Sequence, residues 1–135
     1  MTRYFLFIGP LNHLSGFKSK GIVQQNFNHL KRLQELSKGD KVVFYASSVD
    51  DKSKTPYREF MAAGKVTDGK IKTVTKGKDK FHRMKVDFAR FKPVPIEDKI
   101  KNLSFIKNKK SWGLYFISGF RELSKRDYDV IVGKN

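Results

Sequence analysis

No cysteine occurs in the chain. That excludes a disulfide framework and any thiolate metal site, and it accords with a reducing compartment. Acidic residues are scarce: 13 Asp and Glu stand against 29 Lys and Arg, a formal net charge of +16. Long hydrophobic runs are missing too. The N-terminal apolar stretch YFLFIG, Tyr4 to Gly9, is too short for a signal-peptide core. It falls far short of the roughly 20 residues that span a bilayer, so the expectation is a soluble, cytoplasmic protein with no membrane partner. Nucleotide-binding signatures are absent, with no Walker A stretch and no strand-linked G-x-G-x-x-G. His13, His29 and His82 fall in different elements without the spacing that presents a metal from one helix face. Asp50-Asp51 is the one adjacent carboxylate pair outside helices, in a loop beside Lys52 and Lys54, where a solvated turn suits it better than acid/base chemistry. SFIK at Ser104 to Lys107 has S-x-x-K spacing and none of its companion motifs. These absences argue against an enzyme and against any cofactor.

What is present is a chain of 135 residues, 39% hydrophobic and 13% aromatic, enough for one domain, residues 1–135, with a single core. A compact domain this basic repels itself, and a polyanion relieves the repulsion. Nucleic acid, DNA or RNA, is the expected partner. The alternative is a surplus of lysine kept for solubility.

RYFLFIG, closed by Gly9-Pro10, reads as a strand buried on both faces. LNHLSGFKSKG has turn residues and no clear period. Phe27, Leu30, Leu33 and Leu36 then recur at helical spacing, with Asn28 a cap and Gly39 a stop. KVVFYAS is the second strand. YREFMAAGKVTD alternates as a half-buried strand. GKIKTVTKGKDK reads as a short strand with a lysine-rich turn, and FHRMKVDFARF as a strand with Met84, Val86 and Phe88 inward. SWGLYFIS reads as the closing strand. Ser124 and Asp127 have capping-box spacing, and Leu123 can staple to Tyr128, at the start of a last helix with Tyr128, Ile131 and Val132 on its apolar face. The pattern is α+β: about six strands curling into a small barrel, with two or three short helices.

Basic residues cluster in two places. Residues 70–85 hold seven lysines or arginines against Asp79 alone, and residues 101–112 hold four lysines and no acid. In FIKNKKSWGL the only tryptophan, Trp112, directly follows Lys107, Lys109 and Lys110. A base drawn from its stack is commonly held by aromatic faces and read at its polar edge. Tyr45, Trp112 and Phe116 are candidates for the faces, and Gln24, Gln25, Asn26 and Asn28 for the edge. Trp112 and Phe116 read equally well as core residues of a strand.

Four stretches resemble the EVE domain, of the PUA-like superfamily, in its branch of small stand-alone prokaryotic proteins. They are YFLFIG, GIVQQNFNHLKRLQELSKGDKVVFYAS, AAGKVTD and LSFIKNKKSWGLYFISGFRELSKRDYDVI. The resemblance covers nearly the full length, and the last stretch is the most specific. It implies a PUA-like mixed β-barrel flanked by helices that binds nucleic acid, base-modified or plain, by taking a modified or flipped base into a pocket without catalysis. The alternative it leaves is an RNA binder that recognises shape alone. The implied pocket comprises Gly21, Ile22, Val23, Asn28, Tyr45, Ser47, Trp112 and Phe116, and the implied phosphate contacts are Lys107, Lys109, Lys110 and Arg121. Many EVE domains carry a tryptophan just ahead of the turn that begins here at Gly21, where this chain has Lys18-Ser19-Lys20. The oligomeric state is open at this level.

Overall fold

The structure, a computed structural model, describes residues 1–133. Its frame is a curled mixed sheet. β1 (Tyr4–Pro10) leads into helix α1 (Leu11–Lys20), β2 (Ile22–Asn26), a single 3-10 turn (Phe27–His29) and the short helix α2 (Leu30–Gln34). β3 (Lys41–Ser48) is followed by the 21-residue β4 (Pro56–Lys76), by β5 (Asp79–Phe88) and by the two-residue β6 (Val94–Pro95). Three 3-10 segments come next, Ile96–Asp98, Ile100–Asn102 and Lys109–Phe116, before β7 (Phe120–Leu123) and helix α3 (Lys125–Val132). The strand order is β2-β5-β4-β3-β1-β7, with β6 paired to β4. β1 and β3 run parallel, and the other pairings are antiparallel. β2 and β7 end the path, so the sheet is a half-barrel rather than a closed one. No helix among the described residues is long and apolar enough to cross a membrane.

Both faces of the central strands are covered, which is why they read as continuous apolar runs. Alternate residues of β1 and β3 sort cleanly: Phe5, Phe7, Val42, Phe44 and Ala46 join Leu14, Val23, Leu33 and Leu36 under α1 and α2. Leu6, Val43 and Tyr45 face the other way, against Leu103, Ile106, Phe116, Leu123 and Ile131. A register shift between Phe44 and Tyr45 lets consecutive residues of β4 be buried, Phe60 and Ala63 in the second cluster and Met61 and Ala62 in the first. β4 is therefore buried on both faces here, not half-buried as its alternation suggested.

Two further expectations fail, each for a local reason. Leu11–Lys20 is a helix despite its lack of period. Only Leu14 is fully buried and Pro10 provides no side-chain cap; Gly21, at φ +70°, ends it by donating its N–H to the carbonyls of Lys18 and Phe17. SWGLYFIS is not a strand. Lys109–Phe116 winds as 3-10 turns, with the Asn108 side chain accepting from the Lys110 N–H at 3.2 Å and the Tyr115 hydroxyl accepting from the Asn108 N–H at 3.0 Å. The last helix starts as read, Ser124 accepting from the Asp127 N–H at 3.1 Å. Asp127 does not complete a reciprocal box. Its buried carboxylate accepts from the Ser104 N–H at 2.8 Å and the Ser104 hydroxyl at 2.6 Å, tying α3 to the 3-10 region.

Candidate nucleic-acid interface

Where the curled sheet stays open, between the end of β1 and strand β2, a cavity of about 180 Å³ remains. That is near the roughly 150 Å³ in which a benzene-sized ring fits and below the 300–1,000 Å³ or so of drug-sized pockets. Phe7 and Ile8 of β1, Leu14 and Phe17 of α1, and Val23 of β2 form its apolar walls. Gln24, Gln25 and Asn26 line it from β2, His13 from α1, and His29 and Arg32 from the turn and helix after β2. A strand followed at once by a helix on each side is what brings these residues to one opening.

The polar groups are held in place. The Arg32 guanidinium donates to Gln25 Oε1 at 2.9 Å and to the Ser118 carbonyl at 2.7 Å. Arg32 thus spans the two ends of the sheet, β2 on one side and the turn into β7 on the other. Partial burial pulls its pKa below the ordinary arginine value, and it stays charged. Arg83 of β5 donates to Gln24 Oε1 at 2.8 Å, and Gln25 Nε2 donates to the Gln24 carbonyl at 2.7 Å. Each glutamine oxygen already accepts an arginine N–H, and each side chain keeps at least one amide N–H free to donate. Such donors match the acceptor edge of a nucleobase.

Beside this opening, β4 and β5 extend as a hairpin that β2 flanks along Phe81 to Lys85 and that is two-stranded only at its tip, Thr75 to Lys80. Ile71 to Lys76 pair with Asp79 to Met84 around Gly77 and Lys78. Lys70, Lys72, Lys76, Lys78, Lys80 and Lys85 are exposed along it. The lysine-rich run of the sequence is thus one projecting arm.

The sequence-derived site residues divide between two places. Val23 lines the cavity and Ser47 lies close by, its hydroxyl 3.5 Å from the Gly9 carbonyl. Gly21 and Ile22 lead into β2, and Asn28 sits on the neighbouring turn in an adjoining groove. Tyr45, Trp112 and Phe116 lie across the sheet in the second core cluster. Tyr45 packs 4.6 Å from Phe116 and 5.1 Å from Phe60 between ring centroids, and burial raises its phenol to about 12. Trp112 is half-buried, edge-on to Phe116, with the Arg58 guanidinium 5.8 Å from its ring centre. Lys109 donates to the Leu103 carbonyl at 2.8 Å, Arg121 covers the Phe105 ring at 4.7 Å, and Lys107 and Lys110 are exposed. These four cations and Trp112 form a second basic surface and do not meet the cavity. The edge-reading candidates Gln24, Gln25 and Asn26 do line it. The sequence reading did not bring His13, Phe17, His29 and Arg32 to this site, because they lie on separate elements that only the fold brings to one opening.

Asp50 is a turn residue, its carboxylate accepting from the N–H groups of Lys52 and Ser53 and held below the ordinary carboxylate range by those bonds. Among the described residues no three His, Cys, Asp or Glu converge to hold a metal.

A sequence profile of the EVE domain matches residues 4–134. A UPF0310 protein from Bacillus licheniformis is 33% identical over 122 residues, covering 90% of this chain and 83% of the relative. A UPF0310 protein from Pyrococcus horikoshii is 30% identical over 120 residues, 76% and 78% of the two chains. A crystal structure of a Pseudomonas syringae protein superposes with a TM-score of 0.58 at 12% identity, covering 97% of this chain and 98% of that one. Human THYN1 protein, in complex with 5-methylcytosine containing DNA, superposes with a TM-score of 0.53 at 14% identity over 98% and 97%. The half-barrel is thus the PUA-like fold.

Proposed function

We propose, from the premise that this chain belongs to the EVE domain family, that it binds nucleic acid and takes one modified base into the cavity between β1 and β2. The observation that carries the reading is the pairing of a ring-sized cavity, apolar on its walls and amide-lined on one edge, with a lysine arm beside it. Apolar walls stack on the faces of a base, the pinned glutamines of β2 donate to its edge, and the arm neutralises phosphate. THYN1, with the same fold and bound to 5-methylcytosine containing DNA, supports the choice of ligand class.

The test is equilibrium binding of single-stranded and duplex DNA and RNA oligonucleotides carrying cytosine, 5-methylcytosine or 5-hydroxymethylcytosine at one position, at two salt concentrations. About four neutralised phosphates give a log–log salt slope of about −3 to −4. One modified base should bind at least about 5-fold more tightly than its parent, and Gln25→Ala should erase that ratio while leaving the slope alone. Binding to RNA that ignores modification and cavity variants alike would establish shape recognition instead.

A further inference from the structure

Next to the base cavity, and sharing Asn26 with it, lies an open groove of about 510 Å³ lined by Phe27, Asn28, Lys78, Asp79, Lys80 and Phe81. Phe27 is unusual within it. A phenylalanine is normally buried, yet this one is 58% exposed, directly after the strand whose amides line the cavity. One face is fixed, stacked on the His82 ring with centroids 5.3 Å apart and planes 26° from parallel. His82 is itself 4% exposed and anchored by a 2.9 Å bond between its Nδ1 and the Thr73 hydroxyl. The ring is therefore a preset plane with a rigid aromatic backing. Lys80 Nζ stands 5.8 Å from its centre, and Lys78 belongs to the same groove.

We infer that Phe27 is a stacking platform for the nucleotide adjacent to the captured base, with Lys78 and Lys80 meeting its phosphate. The inference rests on the proposed base capture and adds a substrate class to it: an unpaired strand, or one opened locally, since a base in a duplex is stacked on its neighbours and offers no free face. Aromatic platforms bind bases of any identity because every base has a π-face. Phe27 accordingly supplies affinity, and the cavity supplies the choice of base. An exposed plane flanked by cations is also chemically complementary to a nucleotide, whose flat base and anionic phosphate are a few ångströms apart.

A double-mutant cycle tests this. One component is Phe27→Ala, with Phe27→Leu as a second variant that still covers His82 without a π-face and Phe27→Trp as one that keeps it. The other is an abasic spacer replacing the base on either side of the modified one in a single-stranded oligonucleotide. With intact oligonucleotide, Phe27→Ala and Phe27→Leu should weaken binding by about 5- to 150-fold, the worth of one stacked base, and Phe27→Trp should not. With the spacer on one particular side, wild type and both weakened variants should bind alike. The preference for the modified base should survive all three substitutions. Equal losses on intact and abasic strands, or no loss on either, overturn the platform. If the wild type shows no preference for any modified base, base capture fails, while the cycle still reads the platform through total affinity.

Discussion

Gly64 in β4 faces Phe88 of β5, and a Cβ there would lie 2.7 Å from Val86 Cγ1 and 2.8 Å from the Asp87 carbonyl oxygen. Two of the three close neighbours are backbone, so Gly64→Ala can be accommodated only by parting the strands. A loss of about 1–3 kcal/mol, read from the urea midpoint, is expected. Gly16 in α1 has nothing within 4 Å of its missing Cβ, and Gly16→Ala should gain about 0.5–1 kcal/mol through helix propensity. Equal shifts in the two variants would contradict the local reading of both. Tyr45 sets a pH limit. Its phenol is raised to about 12 by burial, above the ordinary value of about 10, so the folded state holds the proton more tightly than the unfolded one. That contribution is intact below about pH 10 and lost as pH rises from there towards 12, on the order of 2 kcal/mol. Tyr45→Phe removes the ionisation, and its alkaline melting limb should move to higher pH. An unmoved limb would assign alkaline unfolding to other groups, with Tyr128, raised in the same direction, the next to test.

Among elements, the hairpin of β4 and β5 carries its charge outward, and its lysines are free to act on phosphate without disturbing the core. Replacing Lys72, Lys76, Lys78 and Lys80 by glutamine should reduce the magnitude of the salt slope by about 0.7–0.9 for each phosphate that is no longer neutralised. The melting temperature and the modified-base ratio should hold. A slope that stays put would move the phosphate track to the second basic surface around Lys107 and Lys110. This arm was legible in the sequence because its period of two and its lysine run coincide at residues 70–85. The strands of the two-faced core were legible for a related reason: Phe5 to Phe7 and Val42 to Ala46 are buried whichever way they point. Segments held by tertiary packing were not. α1 buries one residue fully and has no side-chain N-cap, so its helix rests on Leu14 reaching the core, with Leu11 and Phe17 packed beside it. Trp112 to Phe116 has strand-like composition, yet local bonds from Asn108 and Tyr115 wind it into 3-10 turns. The cavity follows the same rule. Gln24 to Asn26, candidates by residue type, line it directly from β2, whereas His13, Phe17 and Arg32 join them only once α1 and α2 are docked.

For the whole molecule, the open side of the half-barrel is the feature that permits a cavity at all, and an open sheet has ends that must be restrained. β2 pairs only with β5 and β7 only with β1 among the described strands. At the β7 end, the Arg3 guanidinium binds Glu122 at 2.8 Å and Glu35 at 3.0 Å, fastening β1 and β7 to the residue after α2. At the mouth itself the restraint is Arg32, which holds Gln25 and the Ser118 carbonyl together. A guanidinium suits this place because its planar fork serves two acceptors at once, and Gly119 leaves it room: a Cβ there would stand 3.1 Å from Arg32 Nη1. Replacing Arg32 by methionine keeps the apolar stem and removes both bonds. The expected result is local, a loss of about 1–3 kcal/mol confined to the two ends. Hydrogen exchange of β2 and β7 amides should accelerate by about tenfold or more, while β3 and the first half of β4, buried on both faces, keep their protection. If exchange rises uniformly across the sheet, Arg32 contributes to global stability only. If the ends alone loosen and the modified-base preference falls with them, the arginine that closes the half-barrel is also what holds the donor edge of Gln25 in register with its ligand.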